Sequence, residues 1–111
     1  MSHRLSDEMR SCIEECLRCH TVCLSDAIGH CLEKGGRHTE PVHFKLMLDC
    51  AEICQTAANF MARQSDHHRH ICRECAEICR ACAASCEDVG DMEACVEACT
   101  RCAASCEKMA A

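Results

Sequence analysis

Tyrosine and tryptophan are absent from this 111-residue chain, and phenylalanine occurs only at positions 44 and 60. That removes the stacking platforms on which single-strand nucleic-acid binders rely. A formal charge of −6 removes the cationic surface as well. Leu, Ile, Val and Phe together number seventeen, under the level at which a charged chain begins to look disordered. No apolar run approaches the roughly 18 residues that a membrane helix needs. The opening MSHRLSDEMRSC has neither the apolar segment nor the small-residue cleavage site of a secretory signal. The expectation is a cytosolic protein with no nucleic-acid and no membrane partner.

What replaces the usual core is sulfur and methyl: sixteen cysteines and fifteen alanines. In a secreted chain such a density would suggest a disulfide framework, but in a reducing cytosol it points to metal binding or redox work. The arrangement narrows this further. Between 72 and 86 the sequence reads CRECAEICRACAASC, with Cys72, Cys75, Cys79, Cys82 and Cys86 at intervals of three and four. At 3.6 residues per turn these share one helix face. Strands would place them at even intervals, and a loop-wrapped cluster would need glycine or proline between them.

The same rhythm recurs along the chain. A first helix, expected over 6–34, has Ser6 as its N-cap, Asp7 and Glu8 in its first turn, and Gly35-Gly36 as its stop. It carries Cys12, Cys16, Cys19 and Cys23, with His30 in register and Cys31 slightly off the stripe. Beside the sulfur lies a second stripe, Ile13, Leu17, Leu24 and Ile28, which predicts a second buried face or a subunit interface. A second helix over 40–63 is expected to begin at Thr39 with Pro41 in its first turn. Its cysteines are Cys50 and Cys54, and His43, Met47, Ala57 and Met61 continue their face. A third, over 66–88, is expected to be capped by Ser65 or Asp66 and ended by Gly90. It places His68 on the inner face, with His67 and His70 turned elsewhere. A fourth, over 91–109, capped by Asp91, holds Cys95, Cys99, Cys102 and Cys106. CRACAASCE at 79–87 and CTRCAASCE at 99–107 indicate an internal duplication.

Four such helices with short links predict a single all-α domain, an antiparallel up-down-up-down four-helix bundle with a Cys-lined core. Alternating directions gather Met9, Met61, His68 and Met109 at one end, and Asp26, His30, His43, Met47 and Met92 at the other. His3, His20 and His38 carry little weight, and Asp26 reads first as a solvated residue where the bundle frays. The stripe methionines read first as gap-filling core.

Buried cysteine can be a mere small hydrophobe, but alanine or valine would pack as well without the oxidation hazard. Thiolates are soft ligands that select Cu(I), zinc or iron–sulfur clusters. Structural zinc sites are closed tetrahedra, usually built on loops. Iron–sulfur cysteines come in loop spacings ending in proline, and no proline follows a cysteine here. Cu(I) accepts two thiolates and shared sulfur, so continuous stripes could hold on the order of one ion per cysteine, about 16 per chain.

The chain resembles the cytosolic cysteine-rich four-helix-bundle copper storage proteins of bacteria, through CIEECLRCHTVC at 12–23, LDCAEIC at 48–54, ICRECAEICRAC at 71–82 and the ending CTRCAASCEKMAA. The resemblance implies storage of many Cu(I) ions by the Cys thiolates, a homotetramer, and uptake at a bundle end lined with His, Met or acidic residues. The ligand set expected is all sixteen cysteines with His43, Met47 and His68. The partners are copper ions and a copper chaperone or small-thiol donor. This is not an enzyme. The alternatives are a zinc or metallothionein-like thiolate buffer and a thiol-redox protein working through CxxC pairs.

Overall fold

A computed structural model describes residues 4–111; His3 lies outside the described residues. Helix α1 spans Asp7–Ser25, α2 spans Pro41–Ala62, α3 spans His68–Val89 and α4 spans Glu93–Ala110. They pack as an antiparallel up-down-up-down bundle, with α2 and α4 flanking α1 and α3. No strand occurs among the described residues. The molecule measures 54 × 21 × 19 Å.

Local chemistry explains the helix ends. The Ser6 side chain accepts a hydrogen bond from the Met9 backbone N–H at 3.1 Å, which satisfies one donor left over in the first turn. Thr39 does not begin the second helix. It closes a short 3₁₀ turn, Gly36–Thr39, and α2 starts at Pro41, whose fixed φ suits a first helical position. Neither Ser65 nor Asp66 caps α3: His67 holds that position, and its N–H donates to Ser65 Oγ at 3.1 Å. Asp91 does not cap α4 either. It follows Gly90, φ 84°, with a left-handed φ of 57° of its own, and Met92 precedes the helix. The chain reverses between α3 and α4 through these two left-handed residues, a path glycine takes without strain.

α1 does not run straight to its stop. After Ser25 it widens into a π-helical segment, Asp26–Cys31, and resumes for Leu32–Lys34. At roughly 100° per residue Cys31 would lie about 80° off the line of Cys23. The wider π turn advances fewer degrees per residue, so Cys31 comes back to the axis and is fully buried.

All sixteen cysteines are free thiols with no solvent exposure, and with Met47, Met61, Met92 and seven alanines they form one continuous core. Six of those alanines flank the thiols on α2, α3 and α4, where their small side chains allow close helix approach. Outside, Arg101 pairs with Glu15 at 2.8 Å and Arg18 with Glu97 at 2.9 Å, tying α4 to α1. Pairs this exposed are screened by solvent and add little to stability. The second stripe is not a buried face in the single chain. Leu17 and Leu24 are 40% exposed and Ile28 is 54% exposed.

Candidate metal centre

The core is a column of sulfur. From the end where α1 begins, Cys12 meets Cys106 at 3.7 Å, and Cys16 meets Cys106 at 3.5 Å and Cys102 at 3.6 Å. Cys54 lies 3.7 Å from Cys102, 3.7 Å from Cys75 and 3.6 Å from Cys79. Cys79 then reaches Cys50 at 3.7 Å, and Cys50 meets Cys19 and Cys23 at 3.8 Å and Cys99 at 3.7 Å. Each stripe thus interleaves with the stripes of the neighbouring helices, so the thiols form rungs across the bundle.

Among the described residues, four groups of four thiols have their Sγ atoms all within 4.8 Å of one another: Cys16, Cys75, Cys102 and Cys106; Cys54, Cys75, Cys79 and Cys102; Cys19, Cys50, Cys54 and Cys79; and Cys19, Cys23, Cys50 and Cys99. Successive groups share two cysteines: 75 and 102, then 54 and 79, then 19 and 50. The sites are therefore continuous along the axis.

Thiol–thiol hydrogen bonds polarise this column. Donors around Cys19, Cys102 foremost and then Cys23 and Cys50, hold its pKa below the ordinary thiol value. Cys50 and Cys99, each engaged first with Cys19, are held above it, as is Cys54 with Cys102. Burial pushes Cys31 up, with Asp26 and Cys82 adding to it. Metal binding therefore competes with protons held by the donor thiols.

Toward the other end the donor set changes. Met47 Sδ accepts from Cys86 at 3.4 Å and from Cys82 at 3.7 Å, filling the place on α2 where a third cysteine would continue the stripe. Cys31 stands in a mixed cluster, 3.8 Å from Met92 Sδ, 3.8 Å from His43 Nε2 and 3.7 Å from His38 Nδ1. His43 Nδ1 bonds Ser85 Oγ at 2.8 Å, which orients Nε2 toward the sulfur. Cys95 donates to Asp26 Oδ2 at 3.1 Å. Two of these residues ran against expectation. His38 is 8% exposed because the 3₁₀ turn after Gly35 tucks it over Cys31, and nothing in residue spacing announces a 3₁₀ turn. Asp26, expected to be solvated, faces a core thiol because it opens the π segment.

At the opposite end His68 Nδ1–H donates to the Ser65 carbonyl at 3.0 Å, which leaves Nε2 as the ring's lone-pair nitrogen. Met9, Ser6 and His68 line an open cleft of about 530 Å³ with Arg4, Asp66 and Arg69. Met61 is buried and Met109 packs against the core there. His67 and His70 are exposed. His20 turns outward, its Nδ1–H donating to the Ala51 carbonyl at 2.7 Å, and His30 donates from Nε2 to the Asp91 carbonyl at 2.9 Å. Cys72 is buried in the column like the rest.

A helical bundle lined end to end with unoxidised thiols in shared four-sulfur groups defines a protein that holds several soft metal ions inside its own core. The copper storage protein family (Csp) matches residues 5–111, and the chain belongs to that family. A protein of Nitrosospira multiformis is 50% identical, with TM-score 0.91 over 93% of this chain and 94% of that one. The Cu(I)-bound copper storage protein BsCsp3 of Bacillus subtilis is 35% identical, TM-score 0.86, over 95% and 100%. A cytosolic copper storage protein of Streptomyces lividans, carrying five coppers, is 29% identical, TM-score 0.79, over 94% and 92%.

Proposed function

We infer that this chain stores Cu(I), many ions at a time, on the thiolates of its core. The observation that carries the reading is the run of four-thiol groups sharing sulfurs pairwise. Shared sulfur allows ions to exceed the number of separate four-ligand sites. The Cu(I)-bound relative supports the identity of the ion. The Streptomyces relative, cytosolic by name, supports a cytosolic location. Among the described residues no helix is long and apolar enough to cross a membrane. The role is storage, in keeping with the family's description as copper storage proteins.

The ligands are the sixteen cysteines, with Met47 as a thioether bridging the Cys82 and Cys86 level, and with His43 and His68 receiving ions at the two ends. Each ion that binds displaces a thiol proton. Copper reaches the bundle from a chaperone or a small-thiol donor, because free Cu(I) would be captured by thiols before arrival. The exposed Leu17, Leu24, Ile28 stripe, extended by Leu32 at 53% exposure, forms the contact between copies of a homotetramer.

Anaerobic titration of the reduced chain with Cu(I) against a chromophoric chelator tests the reading. A plateau above about ten ions per chain is expected from bridged thiolates. A plateau at one or two ions overturns it. The redox alternative predicts one or two fast-reacting thiols among sixteen, whereas uniform burial predicts slow and similar reaction of all.

A further inference from the structure

One of the four thiol groups differs from the others in regularity. In Cys19, Cys23, Cys50 and Cys99 all six Sγ–Sγ separations are contacts: 3.9 Å for 19–23, 3.8 Å for 19–50, 3.8 Å for 19–99, 3.8 Å for 23–50, 3.5 Å for 23–99 and 3.7 Å for 50–99. Tetrahedral Zn²⁺ binds thiolate at about 2.3 Å, and a tetrahedron with that centre-to-corner distance has edges of about 3.8 Å. The four sulfurs already lie at those corners. In the remaining groups only some of the edges are contacts of this kind: Cys16, for instance, touches Cys102 and Cys106, and Cys54 touches Cys75, Cys79 and Cys102.

We propose that Cys19, Cys23, Cys50 and Cys99 form a site for a single tetrahedral divalent d¹⁰ cation, Zn²⁺, occupied when the chain lacks copper. Three helices build it: Cys19 and Cys23 stand one turn apart on α1, Cys50 is on α2, and Cys99 is on α4. Because the corners are in place before the ion arrives, binding costs little reorganisation of the core. Four thiolates around Zn²⁺ leave a charge of −2 in a dry interior, and the neighbouring Cys79 thiol, 3.7 Å from Cys50, is placed to donate to it.

Zinc would hold the site only until Cu(I) arrives. The exchange is a ligand substitution: four Zn–S bonds break, the thiolates pass to Cu(I), and Zn²⁺ leaves with no electron transferred. Soft thiolates favour Cu(I) over the borderline Zn²⁺, so copper loading expels one zinc per chain.

The test is titration of the reduced, metal-free full chain with Zn²⁺ under anaerobic conditions against a chromophoric zinc chelator. X-ray absorption is then recorded on the zinc-loaded wild type. The proposal expects one Zn²⁺ per chain, four sulfur neighbours at about 2.3 Å, and release of that ion on adding Cu(I). Cys23→Ala or Cys99→Ala should weaken zinc binding at least tenfold. Cys72→Ala, which removes an equally buried thiol belonging to none of the four groups, should leave zinc stoichiometry at one. No zinc held against the chelator, two or more ions per chain, nitrogen or oxygen in the zinc shell, or an equal loss in Cys72→Ala overturns it. The wild-type spectrum decides even if a variant fails to fold. A chain that takes up copper normally but no zinc sinks this inference alone, since the copper reading does not depend on it.

Discussion

Met47 is the residue that most clearly separates packing from ligation. Its sulfur is buried against Cys82 and Cys86, on the helix with the fewest cysteines. Met47→Leu keeps volume and apolarity, so folding stability should change by less than about 1.5 kcal/mol. If the thioether is a ligand, Cu(I) capacity falls by about one ion per chain in the chelator titration. An unchanged capacity would return Met47 to the role of core filler. The thiols themselves give the chain a pH limit. Cys50, Cys54 and Cys99 keep their protons in the fold above the ordinary thiol value of 9.0, through hydrogen bonds led by Cys19 for the first and third and by Cys102 for the second. Below pH 9 folded and unfolded chains both hold these protons. Above it the unfolded chain loses them first and binds fewer, so stability falls as pH rises. Cys19, held below that value, contributes only up to pH 9, so thermal unfolding of the reduced, metal-free chain between pH 9 and 11 should show a declining midpoint; a midpoint that rises through that range would contradict the assignment.

At the level of the helix, the π segment at Asp26–Cys31 decides which side chains reach the axis. Gly29 lies within it, and a Cβ there would meet nothing within 4 Å. Gly29→Ala should therefore stabilise the fold by about 0.5–1 kcal/mol through the unfolded chain's lost freedom. The measurement is the denaturant midpoint, with copper capacity unchanged; a destabilised variant would mean that the π turn needs glycine's freedom. This segment also marks where the sequence stopped being readable. The stripes of α1, α3 and α4 were legible because three-and-four spacing of cysteine admits only a helix face. His43 and Met47 were legible because they continue the face of Cys50 and Cys54. Cys31 read as slightly off the stripe because ordinary helical rotation was assumed, and one widened turn removes the discrepancy. His38 was passed over because its burial comes from a 3₁₀ turn rather than from a periodic face. The Ile13, Leu17, Leu24, Ile28 stripe was visible, yet only the folded chain distinguishes a face covered from within from one left open, as Leu17, Leu24 and Ile28 are here.

For the whole molecule, that open stripe gives the assembly its test. Leu17, Leu24, Ile28 and Leu32 follow one side of the first helix and its continuation, and a charge placed among them would be buried in any contact between copies. Ile28→Glu should dissociate the proposed tetramer to a 12.3 kDa chain in sedimentation while leaving the helical circular dichroism spectrum intact. A variant that stays tetrameric would move the contact to another face.

The pairwise sharing of sulfur between successive groups has a consequence for traffic as well as capacity. An ion passing from one group to the next keeps two of its ligands while it exchanges the others. It never has to meet water on the way. The interior is thus a track with two termini rather than a row of closed bins. On the proposed reading, the sulfur-only middle would hold copper most tightly, and the mixed donors around Cys31 at one terminus and His68 at the other would set the pace at which it comes and goes. Ions taken up last would then stand nearest a terminus and leave first, so the age of the stored copper would increase toward the centre of the bundle.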